Sequence, residues 1–162
     1  MNESKIQTVR DVPMPLRREI EAQMIIPFLE AFGEELGEKK TIEIASRVIS
    51  QLARNAGKQM AAMIGDNSLH SFLESMVPVF GQDGALKVKV RENSEECVRM
   101  DVTECVYAKM YKEKGLEKYG TLLSCQRDKY LFEGFNPDIV FTRKGTIMEG
   151  YPCCDFCLEL NK

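Results

Sequence analysis

Thiol and carboxylate side chains are the groups of this 162-residue chain best suited to chemistry, and the thiols are confined to its C-terminal part. All six cysteines lie between Cys97 and Cys157. Cysteine serves as a nucleophile, a soft metal ligand or a small apolar core residue. Because His70 is the single histidine, a histidine-rich metal site is disfavoured. A reactive site in this chain is therefore expected to combine Cys with Asp or Glu.

Two of the thiols stand at positions that suggest a role. Cys105 lies between an alternating apolar run and a helical one, so we expect it at a helix N-terminus, where the helix dipole lowers the pKa of a thiol. Cys125 and Asp128 are three residues apart and share one face of a helix. This pair fits half of a metal site, or a nucleophile with an acid/base neighbour. A small core cysteine is the alternative in both cases.

The densest cluster of thiols is Cys153-Cys154-Asp155-Phe156-Cys157. In a strand, alternate side chains would place Cys153, Asp155 and Cys157 on one face and Cys154 on the other. The cysteines Cys153, Cys154 and Cys157 are candidate ligands for zinc or iron. Only one CxxC spacing is present, however, whereas structural zinc sites usually show two. No other cofactor is indicated.

Hydrophobic periodicity predicts that the first half of the chain, residues 1–80, is mainly helical. Apolar residues at helical spacing predict helices over 16–36, 42–63 and 68–77. Pro27 predicts a kink or break in the first helix, and Thr41 is the expected N-cap of the second.

The second part, residues 84–162, changes to the period of a sheet. Strict alternation predicts an antiparallel hairpin, followed by a broken helical segment and two final strands, over 85–91, 98–102, 105–132, 139–143 and 153–160. Residues 1–162 are therefore expected to form a single α+β domain, with N-terminal helices packed on a small antiparallel β-sheet.

Composition limits the classes of partner. The chain is 44% hydrophobic and 29% charged with a net charge of −3, which disfavours disorder and a polybasic nucleic-acid binder. The N-terminus resembles no signal peptide, and the apolar runs are too short to span a membrane, so a cytoplasmic protein with reduced thiols is expected. A small-molecule substrate is the expected partner. The amphipathic N-terminal helices are a candidate homodimer interface.

Taken in order, the motifs resemble those of the L-2-amino-thiazoline-4-carboxylic acid hydrolase family. The resemblance covers most of the chain, and its specific part runs from residue 105 to residue 156. The motifs that carry it are Arg17-Arg18-Glu19-Ile20-Glu21-Ala22, Cys105-Val106-Tyr107-Ala108, Leu122-Leu123-Ser124-Cys125-Gln126-Arg127-Asp128, Glu133-Gly134-Phe135-Asn136-Pro137, Arg143, Thr146, Met148-Glu149-Gly150 and Cys154-Asp155-Phe156.

This resemblance implies a small hydrolase that adds water at carbon 2 of a thiazoline ring and opens it to a carbamoyl-cysteine. The motif positions that it marks as catalytic candidates are Cys105, Cys125, Asp128, Cys154 and Asp155, with Arg143 and Tyr107 as candidates for substrate binding. Arg143 suits the substrate carboxylate because its planar fork binds both oxygens. By its chemistry, a thiolate at Cys125 or Cys154 would attack carbon 2, and Asp128 or Asp155 would deliver water or a proton.

Two residues depart from the family pattern. Cys153 and Cys157 are extra thiols beside the Cys-Asp-Phe motif, and the second stands where an arginine is often expected. These departures keep a rival hypothesis open, namely a small-molecule or metal-binding sensor module without catalytic turnover. A helix-on-sheet protein whose cysteines only fill its core is the third reading.

Overall fold

Three helices form the N-terminal half of the chain in a computed structural model, which describes Thr8 and residues 11–161 apart from the side chains of Met76 and Asp83. These helices are α1 (Met14–Leu36), α2 (Glu38–Ile64) and α3 (Leu69–Phe80). Ser68 caps α3, since its side chain accepts a hydrogen bond from the amide of Ser71. The predicted N-terminal helices are confirmed in number and order.

Two details of the predicted helices differ in the structure. The first helix continues through Pro27 rather than breaking there, and buried Ile26 and Leu29 on either side hold it against the core despite the lost backbone hydrogen bond. The second helix begins three residues before Thr41, directly after Gly37. Gly37 has a φ of +83°, a backbone conformation open to glycine, and this lets α2 start at once while Thr41 is buried inside its first turn.

Four antiparallel strands form one sheet in the order β1-β2-β4-β3. They are β1 (Leu86–Asn93), β2 (Cys97–Cys105), β3 (Ile139–Thr142) and β4 (Cys154–Leu160). The predicted hairpin is the β1–β2 pair, and the two final strands pair as β3 and β4. Because β4 also pairs with β2, with Val102 opposite Cys154, the C-terminal thiol cluster lies at the centre of the sheet.

Short helices connect the two halves of the sheet. They are α4 (Val106–Glu113), α5 (Glu117–Gly120) and α6 (Arg127–Phe135), with a single π-helical turn over Thr121–Cys125 between the last two. The amide of Gln126 donates to the carbonyl of Thr121, five residues back, over 2.8 Å. The α+β architecture, with helices packed on a small antiparallel sheet, is confirmed.

Helices α2 and α6 approach each other closely because glycines stand at their crossing. A Cβ atom on Gly57 would overlap the backbone of α6, and a Cβ atom on Gly134 would overlap the backbone of α2 at Arg54. The side chain of Arg54 closes the contact, donating to Glu133 over 2.9 Å. This crossing fixes α6 above the sheet.

The sheet has two different faces. Its inner face, which we define as Val98, Met100, Val102, Cys154, Phe156 and Leu158, packs against α3 and α6. Phe132 of α6 lies 6.1 Å from Phe156 and 4.9 Å from Phe72 of α3, measured between ring centroids. Its outer face carries Cys97, Arg99, Asp101, Asp155 and Cys157, which alternate with those inner residues along the strands.

A row of apolar side chains on α1 is not covered by the rest of the described chain. Ile20, Met24, Phe28 and Phe32 are 55%, 69%, 58% and 51% exposed. The predicted helical spacing of these residues is confirmed, and their side chains are exposed. Within the described residues, no helix is both long enough and apolar enough to span a membrane.

Candidate functional site

A cavity of about 140 Å³ lies between the inner face of the sheet and the helices that cover it. Its wall is mostly apolar, with aromatic side chains from α3, α6 and β4. The polar part of the wall comes from the residues Arg18, Cys105, Tyr107, Ser124, Cys125, Arg127, Asp128 and Cys154. A volume near the roughly 150 Å³ of a cavity that holds benzene suits a small organic ligand.

Five of the residues predicted for the site line this one cavity. They are Cys105 at the end of β2, Tyr107 in the first turn of α4, Cys125 in the π turn, Asp128 at the start of α6 and Cys154 at the start of β4. They come from three separate stretches of the chain. The remaining two, Arg143 and Asp155, are not part of the cavity wall.

The π turn places Cys125 and Asp128 side by side at the cavity. A π turn inserts one extra residue into a helix and often stands at a functional site. Gln126 anchors this turn on α2, because its side-chain amide donates to the carbonyl of Ser46 over 3.1 Å and to the Ser50 hydroxyl over 3.0 Å. The predicted neighbourhood of thiol and carboxylate is present, on an irregular helix rather than a regular one.

Burial keeps the three cavity thiols protonated at neutral pH. It raises the pKa of Cys125 to about 12, with a further contribution from the nearby Asp128 charge, and it raises the pKa of Cys154 to about 11. Each pKa far above 7 leaves only a minute fraction of thiolate. Direct attack by a preformed thiolate is therefore disfavoured in the resting protein.

Cys105 occupies the expected helix N-terminus, but the expected effect on its pKa is wrong. Its sulfur accepts a hydrogen bond from the amide of Ala108 over 3.4 Å and so caps α4. Burial nevertheless raises the pKa of Cys105, because loss of solvation outweighs the stabilisation that the Ala108 and Tyr107 amides give to a thiolate.

Asp128 is the carboxylate side chain in the cavity wall. Burial raises the pKa of its carboxyl to about 6, against the opposing effect of Arg143. Nη1 of Arg143 donates to Oδ2 of Asp128 over 2.5 Å, and Nη2 donates to the carbonyl of Cys125 over 2.9 Å. Arg143 is thus committed to Asp128 and the π turn, where it orients the carboxylate from behind the wall.

A tight turn before β4 positions the third thiol. The hydroxyl of Thr146 accepts from the amide of Glu149 over 3.2 Å, which caps the short 3₁₀ turn Ile147–Glu149. The amide of Ile147 then donates to the sulfur of Cys154 over 3.3 Å. The family motif around Thr146 and Glu149 therefore serves to hold this sulfur in the cavity wall.

Asp155 points away from the cavity. Its Oδ1 accepts the amides of Lys144 and Gly145 over 2.9 and 3.3 Å, so it fixes the turn after β3. Although partial burial acts to raise the pKa of this carboxyl, these amide hydrogen bonds lower it below its ordinary value. Its neighbour in sequence, Cys154, lies on the other face of the same strand.

The three predicted metal ligands are not brought together. Cys154 faces the cavity, whereas Cys157 lies on the outer face. Among the residues that the structure describes, the ligand atoms of Cys97, Cys157 and Glu159 form the group within 4.8 Å of one another. The guanidinium of Arg99 donates to Glu159 over 3.4 Å and also interacts with Cys97. The positive charge of an arginine therefore already lies beside these three ligand atoms. The donor set Cys153, Cys154 and Cys157 does not fit a shared zinc or iron ion.

Two arginines in the cavity wall were missed as site residues. Arg18 of α1 and Arg127 of α6 share Glu21, at 2.5 and 3.3 Å, so two positive charges meet one negative charge. Burial and the nearby Arg18 charge lower the pKa of Arg127 to about 10. Both arginines lie inside sequence motifs of the family resemblance, so these motifs could have identified them as candidates. The contact between α1 and α6 that brings them together could not be predicted from the sequence.

Comparison with known proteins gives two results. A family model described as L-2-amino-thiazoline-4-carboxylic acid hydrolase matches residues 17–158. Among solved structures, the phenol-responsive sensory domain of the transcription activator PoxR, crystallised with phenol, superposes with a TM-score of 0.51 at 10% sequence identity. The superposition covers 90% of this chain and 73% of that chain, which shows a similar fold. No curated protein matches the chain.

Proposed function

The chain belongs to the L-2-amino-thiazoline-4-carboxylic acid hydrolase family, and on that premise we propose that its cavity hydrolyses a ring C–S or C–N bond of a small cyclic amidine. The observation that carries the proposal is the position of Asp128, whose carboxyl has a pKa of about 6 and lines a small-molecule cavity beside motif thiols. A group with a pKa near the working pH is suited to move protons in both directions.

Asp128 would act as the base that activates water. At pH 7 a carboxyl with a pKa of about 6 is about nine-tenths ionised, so it accepts a proton as water adds to the amidine carbon. In C–S cleavage, the water oxygen becomes the carbonyl oxygen of the product. One proton passes through Asp128 to the departing sulfur, and the second stays on the ring nitrogen. Arg143 holds the carboxylate in place through this exchange.

The thiols would act in their protonated form. Cys125 and Cys154 have pKa values of about 12 and about 11, which favours S–H donors over nucleophiles. Attack by Cys125 remains the competing route, with Asp128 removing the thiol proton during the attack. The variant Cys125→Ser separates the two roles. If the thiol is a hydrogen-bond donor, the serine hydroxyl replaces it with a modest loss of turnover. If the thiol is the nucleophile, its removal abolishes turnover.

A turnover assay on L-2-amino-thiazoline-4-carboxylate tests the proposal. Loss of the thiazoline and appearance of a free thiol are followed for the wild type, Asp128→Asn and the exposed control Asp138→Asn. We expect turnover by the wild type and by the control, and a loss of at least about a hundredfold in kcat/KM for Asp128→Asn. Full activity in Asp128→Asn, or none in the wild type, would overturn this function.

A second function is favoured by the apolar majority of the cavity wall. Side chains such as Phe72, Leu86, Phe132 and Phe156 suit a ligand held for binding rather than reacted. The similar fold of the phenol-responsive domain of PoxR agrees with a small-molecule sensor module. Tight binding of a ligand that is recovered unchanged, together with no turnover of the thiazoline, would favour the sensor.

A further inference from the structure

Several polar residues of the cavity wall interact with one another. The charge of Arg18 acts on both Tyr107 and Asp128, and the charge of Asp128 acts in turn on Cys105 and Cys125. We call the part of the wall that these residues form the polar end. The side chains that α3 and β1 contribute to the wall form what we call the apolar end, which adjoins the polar end where Leu86 of β1 pairs with Cys105.

The hydroxyl of Tyr107 is the unusual group at the polar end. Tyr107 is only 8% exposed, and within the described chain its buried oxygen has no hydrogen-bond partner. Leaving a buried hydroxyl unsatisfied costs stability, so such a group points to a ligand that completes it. Tyr107 also lines the cavity, so a ligand there could reach its oxygen.

Charge at this end favours an anion. Among the described residues, Arg18 and Arg127 share an ion pair with Glu21, and Arg143 forms an ion pair with Asp128. These three arginines therefore carry one positive charge more than the two carboxylates balance. Arg18 uses one nitrogen on Glu21, and a guanidinium offers five N–H donors in a planar fork that matches a carboxylate.

The apolar end favours an apolar part of the ligand. Phe72, Val77, Phe80, Leu86 and Val88 line it and present no polar side-chain atoms. A compact polar ring alone would leave these groups facing water. An aromatic or aliphatic body would remove apolar surface from water instead, which stabilises the complex.

We propose that the cavity takes an amphipathic carboxylate, with its carboxylate on Arg18 and the Tyr107 hydroxyl and an apolar ring or chain between α3 and β1. Arg18 and Tyr107 are thus the specificity-determining residues for the anionic group, in place of Arg143. The substrate class rests on the proposed function only in placing the reacting bond beside Asp128. It differs from the small thiazoline of the family name by its apolar body.

Calorimetric titration with three probes tests this assignment. The probes are 3-phenylpropanoate, its neutral counterpart 3-phenylpropan-1-ol, and acetate, which lacks the apolar body. For the wild type we expect 3-phenylpropanoate to bind about tenfold more tightly than the alcohol and at least about tenfold more tightly than acetate. Equal affinity for the acid and the alcohol, or for the acid and acetate, would overturn the proposal.

Variants locate the carboxylate. Arg18→Gln should reduce the preference for acid over alcohol to within about twofold, and Tyr107→Phe should reduce it about threefold, while the alcohol binds as before. Arg54→Gln is the matched control, because Arg54 forms an ion pair with Glu133 outside the cavity wall, and it should keep the full preference. A preference that survives Arg18→Gln in a folded variant, as judged by circular dichroism, would contradict the assignment.

The same titration on Asp128→Asn separates the two proposals. Suppose that Asp128→Asn still binds the acid more tightly than the alcohol and that neither the wild type nor any variant turns over the thiazoline. The carboxylate assignment then stands and the hydrolase proposal fails. If turnover depends on Asp128 but the acid preference is absent, the carboxylate assignment fails and the hydrolase proposal stands.

A separate observation concerns the outer surface of the two long helices. Helix α1 has 23 residues but buries only Ala22, Ile26 and Leu29. Positions spaced by four drift around a helix, so Leu16 and Leu36 lie about 200° apart on α1. The part of the row beside α2 forms, together with α2, what we call the α1–α2 apolar face, namely Phe28, Phe32, Leu36, Val48 and Leu52. These side chains are 50% to 58% exposed and line a groove between the helices.

We infer that a second copy of this chain covers the α1–α2 apolar face. The five side chains of the face are about half exposed and offer roughly 250–450 Å² of apolar surface, at roughly 150–250 Å² for a whole aromatic side chain and roughly 60–120 Å² for a whole aliphatic one. A standard interface buries roughly 800 Å² on each partner and has an apolar core with a polar rim, so the face is large enough to form the apolar core of a dimer interface. A twofold axis buries the same face on both copies.

Sedimentation analysis of the full chain tests the dimer. We expect a dimer for the wild type at micromolar concentration, and a folded monomer for Phe28→Glu/Leu52→Glu. Val140→Glu is the matched control, since Val140 is 45% exposed on β3, away from the face, and it should remain dimeric. A monomeric wild type, or a dimer that survives the double substitution, would overturn this inference.

Discussion

Asp128 and Asp155 belong to two motifs of the same family, yet the structure gives them opposite environments. The carboxyl of Asp128 lies in the cavity wall, and burial raises its pKa to about 6. The carboxyl of Asp155 lies on the outer side, and the amides of Lys144 and Gly145 lower its pKa in spite of partial burial. The first is suited to proton transfer near neutral pH, whereas the second is a fixed anion that shapes a turn.

The thiols on the two sides of the sheet also lie in different environments. Cys154 and Cys125 are cavity residues with pKa values of about 11 and about 12. Cys157 lies on the outer face beside Cys97 and Glu159. Strand alternation alone separates Cys154 from Cys157, so neighbours in one short motif come to serve different purposes. A functional motif is therefore not a functional site until the face of each residue is known.

Replacing each of the two aspartates with asparagine should produce the largest difference in kcat/KM. Asp128→Asn removes the proton acceptor and should lower kcat/KM by about 10²- to 10⁴-fold. Asp155→Asn retains a side-chain oxygen for the turn and should change kcat/KM by less than about tenfold. Steady-state kinetics on the thiazoline measures both. Equal losses would show that the two aspartates act together.

Packing on the two sides of the sheet should differ nearly as much. Phe132 is 2% exposed and contacts the rings of Phe72, Phe141 and Phe156, so Phe132→Ala should lower the free energy of unfolding by about 3–5 kcal/mol. Val140→Ala, on an exposed side chain of β3, should change it by about 0.5 kcal/mol or less. Urea denaturation checks both values. A small loss for Phe132→Ala would mean that the aromatic cluster is loosely packed.

Alkylation should distinguish the inner thiols from the outer ones. Each pKa unit above the ordinary thiol value of about 8.5 lowers the thiolate fraction tenfold, so Cys125 and Cys154 should react with iodoacetamide at least about a hundredfold more slowly than an ordinary thiol. Cys153 and Cys157 should be labelled first. Peptide mass spectrometry over time measures the order. Rapid labelling of Cys125 would instead support a thiolate nucleophile.

Removal of Arg143 should give a smaller, directional effect. The positive charge and hydrogen bond of Arg143 lower the pKa of Asp128, so Arg143→Met should raise that pKa further above about 6. Since the ionised form is the base, the acidic limb of the kcat/KM profile should move to higher pH by about one unit. A KM effect without a shift of this limb would make Arg143 a substrate-binding residue, as first expected from the sequence.

Much of the fold was predictable because its periodicities are local. The helical spacing in 14–80 and the alternation in β1, β2 and β4 identified the elements, and the motif order identified the family. The tight start of α2 after Gly37 was missed, because Thr41 is a good N-cap by type and only the conformation of the preceding glycine decides between them. The exposure of the α1 row could not be predicted, because periodicity gives the spacing of apolar residues but not what covers them.

The site was less predictable because it depends on contacts between distant segments. Cys154 reaches the cavity beside β2 because β4 pairs with β2, a pairing that local patterns do not reveal. Arg18 reaches the cavity wall only through the packing of α1. The ion pair of Arg143 with Asp128 was not predicted for the same reason, since the two residues are 15 positions apart and meet only in the folded chain.

Carbon-13 NMR titration measures the protonation of the two aspartate carboxyls directly. We expect Asp128 to titrate near pH 6 and Asp155 to titrate below its ordinary value of 3.8. Asp128→Asn and Asp155→Asn assign the two resonances. A carboxyl of Asp128 that titrates at or below the ordinary value would contradict its role as the acid/base group of the cavity.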